Sequence, residues 1–151
     1  MFKKILYPTD FSDVSLKAMD YIRRMKDSGT QEVVIMHVID RREFEHFEQG
    51  IAWVGELPAD LEERFLLNAT REASKKLQII AAELTNMGFS VEIKLETGIP
   101  FNEIIKAEKE EGVSAIAVGS HGKSNVKEMF LGSVSEKVIR KSKKPVLVIK
   151  R

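Results

Sequence analysis

The sequence predicts one α/β domain built on an open parallel β-sheet with helices on both faces. Three observations carry that expectation. Short β-branched apolar runs alternate along the chain with longer stretches of helical periodicity. Two of those runs, Glu32 to Ile39 (EVVIMHVI) and Ser114 to Val118 (SAIAV), are almost continuously apolar, the pattern of strands buried on both faces. The length, 151 residues, is that of a single domain. Strands separated by helices pair in parallel through right-handed crossovers, which places the helices on the two faces of one sheet.

Taken in order, Lys4-Ile5-Leu6-Tyr7 reads as a short strand closed by Pro8. Asp13 reads as the N-cap of a helix carrying Leu16, Met19, Ile22 and Met25, and Ser28-Gly29 ends it. The strand from Glu32 follows. Arg41 to Ala59 breaks the rhythm with two glycines, a proline, many charges and the only tryptophan, Trp53, and reads as a long, partly helical insert. Phe44, Phe47 and Trp53 read as core or partner-facing residues of that insert. Helical spacing resumes from Asp60 to Met87, and Gly88 suits its end. Phe89 to Leu95 alternates, as a strand with one less-covered face does. Thr97 to Pro100 reads as a turn into a helix over Phe101 to Glu110. After the strand at Ser114 come a glycine loop, a helix from about Gly132 to Lys141, and a last strand closing on Val146 to Ile149.

Composition narrows the function classes. The formal net charge is +1, so no bulk field favours nucleic acid or an anionic membrane. Hydrophobic residues make up 43% and charged residues 31%, which suits a folded globule. The absence of cysteine removes thiol catalysis and cysteine metal sites and fits a reducing, cytoplasmic setting. No apolar run approaches the roughly 20 residues that span a bilayer, and the N-terminus has no signal-peptide pattern.

The stretch richest in chemistry is Val118-Gly119-Ser120-His121-Gly122, followed nine residues later by Gly132-Ser133. It leaves a buried strand and enters a helix, where backbone N–H groups and the positive end of a helix dipole suit a polyanion. Glycine permits a tight turn and a close approach to a ligand. The glycine spacing is neither that of a Walker A loop nor the G-x-G-x-x-G of a dinucleotide fold. On spacing alone, a phosphate cradle and a loop that is glycine-rich because it turns sharply are equally compatible.

Together with KILYPTDFS, HVID, GIP and the terminal GSVSEKVIRKSKKPVLVIK, the pattern G-x2-G-x9-G-S resembles the ATP-binding branch of the universal stress protein family along the whole chain. The resemblance implies a Rossmann-like adenine-nucleotide-binding fold over residues 1–151, with five parallel strands in the order 3-2-1-4-5 and a variable segment at about 41–59. It implies that Asp10 meets the ribose hydroxyls and that Pro8 and Thr9 lie against the adenosine. The Val38 backbone would address the adenine edge, supported by Val118. Gly119, His121, Gly122, Gly132, Ser133 and Val134 would surround the phosphates of ATP. Mg²⁺ is expected on those phosphates, since no carboxylate cage is visible. A homodimer paired through Val146 to Ile149 is implied as well.

No nucleophile–base pair, arginine finger or Walker B carboxylate is evident. The expected function is therefore a nucleotide-dependent regulatory module acting on an unidentified protein partner. A slow, partner-dependent ATPase using Ser133, His121 and Mg²⁺ is the alternative, and an interaction domain with an empty loop the third reading. His37, inside an apolar strand, reads as a satisfied core histidine, and His46 as a solvated residue of the insert.

Overall fold

The computed structural model describes residues 2–121 and 131–150. Within them the chain forms β1 (Lys4–Pro8), α1 (Asp13–Asp27), β2 (Glu32–Asp40), α2 (Arg41–Ile51), α3 (Leu61–Asn86), β3 (Ser90–Gly98), α4 (Pro100–Glu110), β4 (Ala115–Gly119), α5 (Ser133–Lys141) and β5 (Val146–Ile149). The strands make one sheet in the order β3-β2-β1-β4-β5, and every pairing is parallel. This is the fold and strand order expected.

The two faces follow from the period-2 geometry of a strand, which sends successive side chains to opposite sides. Ile5 and Tyr7 of β1 join Val33 and Ile35 of β2 and Ala115 and Ala117 of β4 on one face. There α1 presents Ala18, Met19 and Ile22, and α3 presents Leu77, Ile80 and Leu84. Leu6, Val34, Met36, Val38, Ile116 and Val118 point the other way, against Ile104 and Ala107 of α4 and Val138 of α5. Each fully buried Leu or Ile contributes about 1.5–3 kcal/mol relative to exposure. This two-sided burial holds the three central strands in place and fixes their carboxyl ends.

Two local expectations change, and the partly helical reading of the insert is met. Ser12, not Asp13, caps α1: its Oγ accepts from the Ser15 N–H at 3.3 Å, leaving Asp13 in the first turn facing the positive helix end. β3 continues through Thr97 and Gly98, because it pairs with β2 in register from Glu32↔Ser90 to Asp40↔Gly98, and the predicted turn shrinks to Ile99. The insert is mostly regular: α2 runs straight from β2, and a 3-10 turn covers Ala52–Val54. Phe44 is its buried anchor and meets Phe65 of α3 at a ring separation of 5.4 Å, as does Phe47. Trp53, in contrast, is 85% exposed and belongs to no core.

Candidate functional site

β1 lies between β2 and β4, so chain connections diverge on either side of its carboxyl end. Such a switch point opens a crevice beyond the strand ends. Here the crevice is a cavity of about 350 Å³ lined from β1, β2, β4 and the starts of α2, α4 and α5. Ten of the sequence-predicted site residues line it together: Pro8, Thr9, Asp10, Val38, Val118, Gly119, His121, Gly132, Ser133 and Val134. Gly122 lies outside the described residues.

The β1 side is held by hydroxyl bonds. The Thr9 N–H donates to the Met36 carbonyl at 2.8 Å, fastening this corner to β2. Thr9 Oγ1 lies 3.0 Å from Ser15 Oγ and accepts from the Phe11 N–H at 3.0 Å. That compact turn puts Phe11 at φ +63°, the one described non-glycine residue in the left-handed region. Asp10 caps the same turn: its Oδ1 accepts from both the N–H and the Oγ of Ser12. This turn role fixes the carboxylate at the cavity wall. Beneath, the Tyr7 hydroxyl donates to the Ser15 carbonyl at 2.7 Å, and burial pushes its phenol well above the usual range.

His37 is 9% exposed, and its Nδ1 lies 2.7 Å from the Thr9 carbonyl. A carbonyl only accepts, so Nδ1 carries the proton. The ring also stacks on Phe11 at 4.4 Å. His37 thus braces the Thr9 corner, as a satisfied interior histidine.

The glycine loop has its ends tied together. The Gly132 N–H donates to the Ser120 carbonyl at 2.7 Å, and the Ser135 hydroxyl donates to the Gly119 carbonyl at 2.7 Å. These bonds seat the start of α5 beside the end of β4. Gly132, the N-cap of α5, has ordinary extended backbone and no side-chain cap, so the first-turn N–H groups of α5 keep their donor capacity. Gly119 is required for a different reason from ligand approach: a Cβ there would stand 3.1 Å from the Ser15 nitrogen and 3.2 Å from Val14 C. Its smallness lets α1 close on β4. His121 Nδ1 lies 2.8 Å from Ser120 Oγ, while its buried Nε2 has no partner among the described residues. Ser120 is 1% exposed and is absent from the cavity lining, so this Ser–His contact offers no accessible nucleophile.

Sequence reasoning missed Ser15, Met36, Asp40, Arg42, Glu43, Pro100, Ile104 and Ser135 on the cavity wall, and His37, read as a core histidine, lines it as well. Asp40 was within reach, because Met36, Val38 and Asp40 alternate on one strand and share a face. Arg42 was not, since its position depends on α2 following β2 without a break, with Asp40 as its N-cap. Asp40 caps α2 by accepting from the Arg42 N–H at 3.1 Å, and it pairs with the Arg42 guanidinium, Nε to Oδ1 being 2.8 Å. Burial works against the charged form of Asp40, but the bonds and charge of Arg42 outweigh it and hold the carboxyl below its usual range. Among the described residues no group of three acidic or histidine side chains is placed to ligate a metal, and no helix is long and apolar enough to cross a membrane.

Comparison with known proteins agrees with this architecture. The model of the universal stress protein family matches residues 1–150. Universal stress protein MJ0577 of Methanocaldococcus jannaschii is 44% identical over 156 residues, spanning 100% of this chain and 96% of the relative. The solved structure of MJ0577 superposes with a TM-score of 0.86 over 100% of this chain and 97% of that one. Universal stress protein YxiE of Bacillus subtilis is 35% identical over 150 residues, 99% of this chain and all of the relative. With a whole-length family match, two such relatives and the strand order the fold demands, the chain belongs to the universal stress protein family.

Proposed function

We propose that the protein binds ATP, with Mg²⁺ on its phosphates, and works as a nucleotide-dependent regulatory module. One observation carries the reading. Residues from four separated stretches of chain, expected from the family resemblance to contact the nucleotide, line a single cavity at the switch point. Two fold relatives add support. A universal stress protein solved in complex with cAMP has a TM-score of 0.61 at 21% identity, and one from Arabidopsis thaliana solved with AMP bound has 0.62 at 18%.

The chemistry of the wall suits each part of the ligand. Met36, Val38, Ile104 and Val118 offer an apolar floor for a base, with the Val38 backbone as its hydrogen-bonding edge. Asp10 offers a carboxylate to two vicinal hydroxyls. The uncapped amides of α5, with Ser133, offer donors to phosphates. Gly122 completes the loop by the same reading. Mg²⁺ would be carried by phosphate oxygens, since the described residues gather no ligand set of their own.

The same reading includes a homodimer through β5. That strand is an edge of the sheet, Leu147 on it is 40% exposed, and an apolar cleft lined by Phe2, Met25, Ala117 and Leu147 runs beside it. A cytoplasmic protein partner, reached through α2, completes the proposal.

The test is to purify the protein natively, denature it and identify released nucleotide by mass spectrometry, with Asp10→Ala alongside. ATP from the wild type and little from the variant is expected. No nucleotide from either, together with no heat on titrating ATP to millimolar concentration, overturns the proposal. Steady-state hydrolysis within the roughly 1–100 s⁻¹ range of kinases would replace the regulatory reading with an enzymatic one.

A further inference from the structure

The insert contributes two residues to the cavity, Arg42 and Glu43, that the glycine loop and the first strand do not account for. Arg42 stands one position inside α2, lines the cavity, and is the only Arg or Lys among the described residues that does so. Its side chain is half-exposed at 49%, so it sits at the rim, while Asp40 is at 18% and sits within the wall. Asp40 grips it by a forked contact: Nε bonds both carboxylate oxygens, at 2.8 and 3.2 Å, and Nη2 bonds Oδ2. A guanidinium held at two nitrogens by a carboxylate is fixed in its plane.

Strand alternation says what lies beside this pair. Met36, Val38 and Asp40 occupy the same face of β2, so the pair follows directly after the apolar floor. A pocket with an apolar floor and a planar cation at its rim matches a flat aromatic ring, whose π-face attracts a guanidinium. We propose that Arg42, oriented by Asp40, covers the nucleobase face of the bound ligand and is a base-positioning residue of this site. The proposal rests on the nucleotide-binding reading above. It implies that the variable insert reports on occupancy through its first turn, because the Asp40 carboxylate that orients Arg42 is also the cap of α2.

Calorimetric titration of the full chain with adenosine, ATP and inorganic tripolyphosphate separates the possibilities. Arg42→Ala should weaken adenosine and ATP by the same factor, about tenfold, and leave tripolyphosphate unchanged. Arg42→Lys keeps the charge and loses the plane, so it should fall between the wild type and the alanine variant. Asp40 acts through Arg42, so Asp40→Asn should also weaken adenosine, and the double variant should be no weaker than Arg42→Ala alone. Thermal melts of each variant check that the fold is kept. Unchanged adenosine affinity in Arg42→Ala, a loss confined to ATP, or wild-type affinity in Arg42→Lys overturns the base-covering role while leaving nucleotide binding intact. A wild type that binds neither adenosine nor ATP overturns the underlying reading instead.

Discussion

Gly119 at the end of β4 and Ser15 in the first turn of α1 are in backbone contact: a Cβ on Gly119 would come within 3.1 Å of the Ser15 nitrogen. The same first turn bonds Thr9 through Ser15 Oγ and Tyr7 through the Ser15 carbonyl. A single close approach therefore couples the end of β4 to the β1 corner of the cavity.

Gly119→Ala is expected to destabilise the fold by about 1–3 kcal/mol, the usual cost of overpacking where the neighbour is backbone and cannot rotate aside. Because α1 must shift, ATP affinity should fall as well. Chemical denaturation and calorimetric titration of the variant check both, and a variant as stable as the wild type would show that α1 yields without strain.

Thr9→Val keeps the shape and removes a hydroxyl that serves both Ser15 and the Phe11 N–H. Thr9 is 5% exposed, so the groups left behind lose a partner in a dry setting. A loss of about 1–3 kcal/mol is expected, along with weaker ATP binding from a displaced Asp10. Denaturant midpoints and titrations measure the two effects separately.

Glu111, beside β4 at the opposite end of the sheet, receives Lys94 at 2.7 Å and Lys4 at 3.4 Å. The hydrogen bond from Lys94 holds its carboxyl below the usual range, although burial opposes it, and the same bond raises Lys94. A depressed carboxyl adds stability above its unfolded value and loses it as pH falls through the folded one. Wild-type stability should therefore drop below about pH 4.5, and Glu111→Gln should flatten that drop. At neutral pH the variant is expected to be less stable by up to about 1 kcal/mol. Melting temperatures from pH 3 to 7 provide the check.

Leu147→Lys places a charge on the exposed side of the β5 edge. The proposed dimer should dissociate to monomer while far-UV circular dichroism stays unchanged. Light scattering at micromolar concentration measures the mass, and a wild type that is already monomeric removes the dimer from the proposal.

Much of this architecture was legible in local pattern. The unbroken apolar runs of β2 and β4 could be satisfied only by burial on both faces, and the alternation of β3 fits an edge position. Position along the sheet was not legible from periodicity, which reports the faces of an element and says nothing about its neighbours. The order β3-β2-β1-β4-β5 came from family resemblance, and so did the grouping of Asp10 with Gly119 and Ser133. Boundaries failed where a long-range pairing decided them, as when β2 drew β3 out to Gly98.

By itself, then, the sequence determined the elements, their buried faces and the chemical types brought to the loop, because hydrophobic period and glycine placement act over a few residues. Only the tertiary structure decided that Pro8, Val38, Val118 and Ser133 share one cavity, and that Gly119 is small for the sake of α1. Those relationships arise between segments far apart in the chain, where close packing across the sheet determines which groups meet.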